Sequence, residues 1–231
     1  MPYIGKKPAD IIATAVDTTT GTFSGDIITA TAGTSNFRAG VNAGNSITSG
    51  GDKNTVVGDE AGTAITTGDF NTALGFEAGH DITTGSANTI IGGLAGDKLI
   101  DASYNVAIGS GAIGADTKGS KSIAIGYNSL VTQNFTSATD TFNVAIGFEA
   151  GKAVTTGVSN TFIGGLAGDA LDTGGFNVAV GRSTLTTDVK GSKSTAIGFG
   201  TLRAQTFSGA TDTMNTAVGF EAGNDITSGI N

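Results

Sequence analysis

The chain has 231 residues, a formal net charge of −8 at pH 7, a pI near 4.4, 38 glycines and no cysteine. That acidic balance argues against nucleic acid as the main partner. The lack of cysteine excludes a disulfide framework, a thiolate metal site and a cysteine nucleophile, and no apolar run approaches the length of a membrane-spanning helix.

Residues 1–35 read as a leader. Lys6 and Lys7 stand near the start, but Pro8, Asp10 and Asp17 interrupt what would be the apolar stretch of an export signal. Thr18 to Thr22 suits an extended connection, Phe23 to Thr31 is expected to add early strands, and Asn36 to Gly40 reads as a degenerate first repeat. From Asn54 onward the pentad Asn-x-x-aliphatic-Gly recurs, opening at Asn54, Asn71, Asn88, Asn105, Asn143, Asn160, Asn177 and Asn215. Ser122 and Ser194 open the same pentad with a hydroxyl in place of the amide. The closing glycines, from Gly58 to Gly219, are spaced by 17 residues, except that the steps from Gly126 to Gly147 and from Gly198 to Gly219 are 21. Residues 71–142 and 143–214 are identical at 40 of 72 positions, so four coils make one super-repeat.

A fixed period of this length means stacked units, each too short for a helical hairpin. The expected fold is all-β: a parallel β-solenoid, or β-roll, of about ten coils over residues 36–231. Strand alternation sets Thr72 and Leu74 on one side and Ala73 on the other. The expectation is that Leu74, Ile91, Ile108, Ile125, Ile146 and Ile163 point inward, and that Asp81 to Thr84 carries a second strand per coil. Such an interior is thin, so lateral association, as a homotrimer of three rolls, is expected to supply further burial.

The recurrent residues each have a plain reading and a functional one. The Asn row reads as side-chain amides bonded to turn backbone and to the next coil, rather than as an ion or glycan site. The Thr pairs, such as Thr66-Thr67 and Thr83-Thr84, read as ordinary strand threonine rather than an ice-binding array. Phe76-Glu77, Phe148-Glu149 and Phe220-Glu221 return once per super-repeat, either as chain-to-chain packing or as a ridge for sugar faces. The longer coils carry Gln133 to Asp140 and Gln205 to Asp212, whose Phe135 and Phe207 are candidates for a contact surface because solenoid insertions form loops. The plain reading of these insertions is a bulge that adjusts only twist or chain-to-chain packing. Lys118, Lys121, Lys190 and Lys193, with Asp116 and Asp188, read as solvated turns with weak surface pairs. The single histidine, His80, reads as an exposed turn residue. The sequence suggests no catalytic, cofactor-binding or metal-ligating set.

Units such as Asn71-Thr72-Ala73-Leu74-Gly75-Phe76-Glu77-Ala78-Gly79, followed by Ile82-Thr83-Thr84-Gly85, resemble repeats in bacteriophage tail fibres and related virion appendages. The pentad Asn143 to Gly147 is similar to the head repeats of trimeric autotransporter adhesins, which are left-handed parallel β-rolls built from three chains. The opening Pro2 to Asp10 looks like the leader of phage fibre proteins, and that likeness assigns virion attachment to Tyr3, Ile4, Lys6 and Lys7.

The resemblance implies a structural virion protein: the shaft of a tail fibre or appendage, positioning host-recognition elements. Its implied partners are two further copies of the chain, other virion or fibre proteins at both ends, and a host-surface glycan, with no membrane and no nucleic acid among them. The chain stops at Ile230-Asn231 inside a coil, and another subunit stacked end to end, a separate fibre protein or further chain is expected to cover that edge. A bacterial surface adhesin or extracellular filament subunit is the alternative. A depolymerising enzyme would need paired carboxylates in a groove, whereas Glu60, Glu77, Glu149 and Glu221 recur at repeat positions.

Overall fold

The structure is a computed structural model that describes residues 32–230. The attachment residues Tyr3, Ile4, Lys6 and Lys7, and the strands expected between Phe23 and Thr31, lie outside the described residues. Each pentad forms one short strand: β1 (Phe37–Ala39), β2 (Thr55–Val57), β3 (Thr72–Leu74), β4 (Thr89–Ile91) and β5 (Val106–Ile108). After β6 (Gly119–Ser120) come β7 (Ile123–Ile125), β8 (Thr139–Asp140), β9 (Val144–Ile146), β10 (Thr161–Ile163) and β11 (Val178–Val180). The series closes with β12 (Gly191–Ser192), β13 (Thr195–Ile197), β14 (Thr211–Asp212) and β15 (Thr216–Val218). Eleven of these stack in chain order as one parallel sheet, and no helix occurs among the described residues. The chain is therefore a parallel β-solenoid of about eleven turns.

Register is one coil per step: Thr72 lies beside Thr89, Ala73 beside Ile90 and Leu74 beside Ile91. The four remaining strands form two small side ladders, β6 with β8 and β12 with β14, where the longer coils begin. The glycine that closes each pentad is required by close approach. At Gly92 φ is +128°, and a Cβ there would lie 2.7 Å from the carbonyl carbon of Gly109 in the next coil.

The parity of the strand is opposite to the sequence expectation. Ala73 and its counterparts Val56, Ile90, Ala107, Ala145 and Phe162 are fully buried, whereas Leu74 is 45 % exposed. Ile163 and Ile197 are also exposed, and Ile91, Ile108, Ile125 and Ile146 are only half-buried on the outside. The cause is the pentad Asn. Its amide must face inward to reach main-chain groups there, and alternation then sends the second residue after it inward and the third outward. The apolar interior is completed by Ile65, Ile82, Leu99, Leu130, Val154 and Leu171 from the opposite side of the coil.

That opposite side is not a strand, contrary to expectation. Residues 81–84 are turn and bend. The turn that bonds the Ile82 N–H to the Gly79 carbonyl at 3.2 Å, followed by the bend at Thr83-Thr84, interrupts the run of axial bonds. Asp81 and Thr83 donate their N–H groups along the axis, to the Asp97 carbonyl at 3.0 Å and the Ile100 carbonyl at 2.8 Å, while Ile82 between them bonds within its own coil.

Candidate functional site

Inside the coil, the Asn row acts as a spine. Asn88 donates from Nδ2 to the Ala102 carbonyl at 2.9 Å and to Asn71 Oδ1 at 3.0 Å, and its own Oδ1 accepts the Asn105 N–H at 3.0 Å. These bonds run to turn backbone and to the neighbouring coils, as the plain reading of this row expected. The 21-residue coils replace this unit with a network. Ser122 has no amide to extend, so its Oγ meets Thr141 Oγ1 at 2.5 Å and accepts from Gln133 Nε2 at 3.0 Å. Gln133 Oε1 in turn accepts from Asn143 Nδ2 at 2.9 Å. Asp116, fully buried, accepts the N–H of Gly119 at 3.0 Å, the N–H of Phe135 at 2.9 Å and Gln133 Nε2 at 2.6 Å. Asp188, Ser194, Gln205 and Thr213 repeat the arrangement one super-repeat on.

This geometry revises two readings of the sequence. Asp116 and Asp188 are interior acceptors and not members of surface pairs; Lys121 instead pairs with Asp140 and Lys193 with Asp212, each at 2.6 Å. Phe135 and Phe207 are 7 % and 9 % exposed, so these rings belong to the interior of the long coil and leave the outer contact surface. The loop itself is outside, with Thr136, Ser137 and Ala138 exposed.

The outer face of the eleven-stranded sheet is the main unpartnered surface. Its central row is aliphatic in every coil from Val57 through Leu74 and Ile91 to Val218. Two rims flank it. The residue after each pentad glycine forms the trailing rim, where Phe76, Phe148 and Phe220 are all more than half exposed. Phe148 stacks on Tyr127 at 5.5 Å between centroids, and Phe220 on Phe199 at 5.3 Å. Glu77, Glu149 and Glu221 follow them with φ near +51° and turn away from the sheet; Glu149 pairs with Lys152 at 3.1 Å.

The residue before each pentad Asn or Ser forms the leading rim, which sequence reasoning missed. Phe70, Tyr104, Phe142 and Phe176 stand there, each more than half exposed. Every residue of this rim from Lys53 to Met214 has φ between +51° and +65°, and none is glycine. A left-handed conformation costs an L-residue roughly 1–2 kcal/mol, so glycine would be the cheaper choice at each corner if no side chain were needed. The readable signal was the residue type at the position just before the pentad.

The other side of the coil is polar. Thr48, Thr66 and Thr83 each donate a hydroxyl hydrogen to a carbonyl one coil on, which engages the threonines with the fold. His80 is half-buried, with Nδ1 2.6 Å from Asp81 and Nε2 3.5 Å from Glu60. Lys98 bridges Asp97 at 3.1 Å and Asp81 at 3.5 Å, and its hydrogen bond to Asp97 holds its pKa above the usual lysine value. Asp169 occupies the position of Asp97 one super-repeat later. Burial, with the Glu149 charge adding to it, raises the Asp169 pKa, and its Oδ1 has no hydrogen-bond partner. Among the described residues no three His, Cys, Asp or Glu side chains gather as a metal site. No protein-family model, curated protein or solved structure matches the chain.

Proposed function

We propose that this protein is a structural shaft, three copies of which associate laterally, in a phage tail fibre or a similar virion appendage that holds host-recognition elements away from the particle. The observation that carries the reading is the outward aliphatic row. A sheet face with an unbroken row of valine, leucine and isoleucine from Val57 to Val218, beside a row of threonine, valine and isoleucine and rimmed by aromatic rings, is more apolar surface than a lone solenoid usually leaves in water. Three such faces turned toward a common axis would bury it. The main-chain hydrogen bonds of the ladder run along the axis from Phe37 to Val218, which suits a stiff spacer. The sequence resemblance to fibre repeats supports the virion setting.

Phe76, Phe148 and Phe220 were open to a sugar-binding or a packing role. Their place on the rim of the apolar face favours packing. The test is the mass of the purified chain in solution by light scattering. A stable species near three times 22.7 kDa is expected. A monomer at all concentrations would remove the shaft reading, and open-ended polymers would turn it toward a filament subunit. For the virion setting, an antibody raised against the solenoid should decorate an appendage on intact particles; labelling of a bacterial surface alone would favour the adhesin alternative.

A further inference from the structure

From the two rims we infer how copies of this chain meet: side by side, parallel, and in axial register, with the leading rim of one against the trailing rim of the next at the same coil. The inference rests on the self-association proposed above and specifies its contact. The face measures about 50 Å by about 15 Å from the strand spacing and rise, roughly 750 Å². In a trimer this face is divided between two neighbours, so it is the face as a whole, and not each pairwise contact, that approaches the roughly 800 Å² each partner contributes to a stable interface.

The central rows do not fix register. Each coil presents an aliphatic third strand residue, so a copy displaced by one coil loses only one level of contact. The rims differ from coil to coil, and at equal levels they complement each other. Lys53 meets Asp59, joining opposite charges. Lys121 meets Tyr127, Lys193 meets Phe199 and Arg182 meets Phe176, each a cation opposite an exposed ring. Phe70 meets Phe76 and Phe142 meets Phe148. Within one chain the same cations already lie over rings, with Lys53 4.6 Å above Phe70 and Lys121 5.2 Å above Phe142.

A slip of one coil in one direction sets Phe70 against Asp59 and Lys193 against Arg182. A slip the other way sets Phe70 and Phe142 against Gly93 and Gly165 and keeps rings opposite Lys53, Lys121 and Lys193. It parts Lys53 from Asp59 and leaves one level uncovered, and these two losses set the register against it. A slip of four coils restores the pattern through the super-repeat but leaves four levels of each copy uncovered. A rotation about the rod axis places unlike rims together at one level and closes on itself, so the assembly stays finite. In an antiparallel pair like rims meet, and Asp59 faces Phe220 instead of Lys53. The left-handed corners of the leading rim, built without glycine, fit a role for these side chains.

The absence of native cysteine permits a direct test in the full chain. The rims of one chain are about 15 Å apart, too far for a disulfide within it. Lys121→Cys/Tyr127→Cys should therefore cross-link between copies under mild oxidation, giving a covalent species of three chains on a non-reducing gel. Lys121→Cys/Phe148→Cys and Lys121→Cys/Ser110→Cys, displaced one coil up and down, should stay at one chain. Lys193→Cys/Phe199→Cys repeats the test four coils along and covers failure of the first pair to fold, with circular dichroism as the check. Cross-linking in the displaced pairs instead, or in none while light scattering still gives an oligomer, overturns the register while association stands. A monomeric native chain overturns the association beneath it.

Discussion

The super-repeat at residues 71–142 and its copy at 143–214 share a backbone and differ in what surrounds it. The spine is retained: Asn71, Asn88 and Asn105 return as Asn143, Asn160 and Asn177. The long-coil network of Asp116, Ser122, Gln133, Phe135 and Thr141 returns intact as Asp188, Ser194, Gln205, Phe207 and Thr213. The apolar filling is exchanged in compensating pairs. Ile90 becomes Phe162, while Ile82 becomes Val154. In the first copy Ile82 Cδ1 lies against Gly79, and in the second the Phe162 ring lies against Gly151, in the space that Val154 leaves. The polar side changes freely, as His80, Asp81 and Lys98 become Lys152, Ala153 and Ala170. Groups that satisfy buried main chain have few substitutes, volume can be shared between neighbours, and surface charge is loosely constrained.

The strongest way to break this comparison is to remove the network acceptor. Asp116→Ala leaves the N–H groups of Gly119 and Phe135 and the Gln133 amide without their acceptor. At roughly 1–3 kcal/mol for each buried unpaired group, the expected loss is roughly 4 kcal/mol. Asp188→Ala should cost nearly the same, and urea unfolding measures both. A small loss in one copy and a large one in the other would mean that the two networks are not equivalent.

Next comes the spine. Asn88→Ala strips the Asn105 N–H of its acceptor and the Ala102 carbonyl of its donor, for an expected loss of roughly 3 kcal/mol. Thr89→Ala, one residue on and facing outward, is the control and should change thermal stability little. If both variants melt alike, the spine is not what holds the coils.

The volume exchange is sharper as a cycle. Ile90→Phe alone should overpack the first copy and cost roughly 2 kcal/mol, and adding Ile82→Val should recover part of that. Strict additivity of the two would show that they do not share the space.

Much of this was legible in the residues. The pentad gave the coil length, the Ser-for-Asn positions marked the coils before the insertions, and the period implied a parallel ladder. Which way the strand faces was not legible. Hydrophobicity favoured Leu74 inside, and the opposite holds because Asn71 has main-chain partners only in the interior. The repeated alanine at the strand centre, Ala73, Ala107, Ala124 and Ala145, was the available sign of a narrow interior. The second strand was missed for a related reason: Thr propensity points to strand, but the turn that bonds Ile82 back to Gly79 interrupts the axial bonds of Asp81 and Thr83. The same parity error hid the outer face, because the residues assigned to the core are the ones that form it.

The smallest effect concerns the polar side, where the copies differ most. Asp97 has Lys98 beside it, whereas Asp169 has Ala170. Burial first, and Glu149 second, raise the Asp169 pKa above its ordinary 3.8. A carboxyl raised in the folded state binds its proton more tightly there than in the unfolded chain. Its contribution is therefore fully present below the unfolded pKa and is lost as pH rises through the folded pKa. At pH 7 the Asp169 charge should be a mild burden, so Asp169→Asn should raise Tm by on the order of 1 °C, with the gain shrinking toward pH 3. Ala170→Lys should give a similar gain at pH 7 by restoring the pairing of the first copy, and Asp97→Asn should give none. Differential scanning calorimetry across pH reads all three. A gain from Asp169→Asn that is independent of pH would mean that shape or hydrogen bonding, and not charge, separates the two copies at this position.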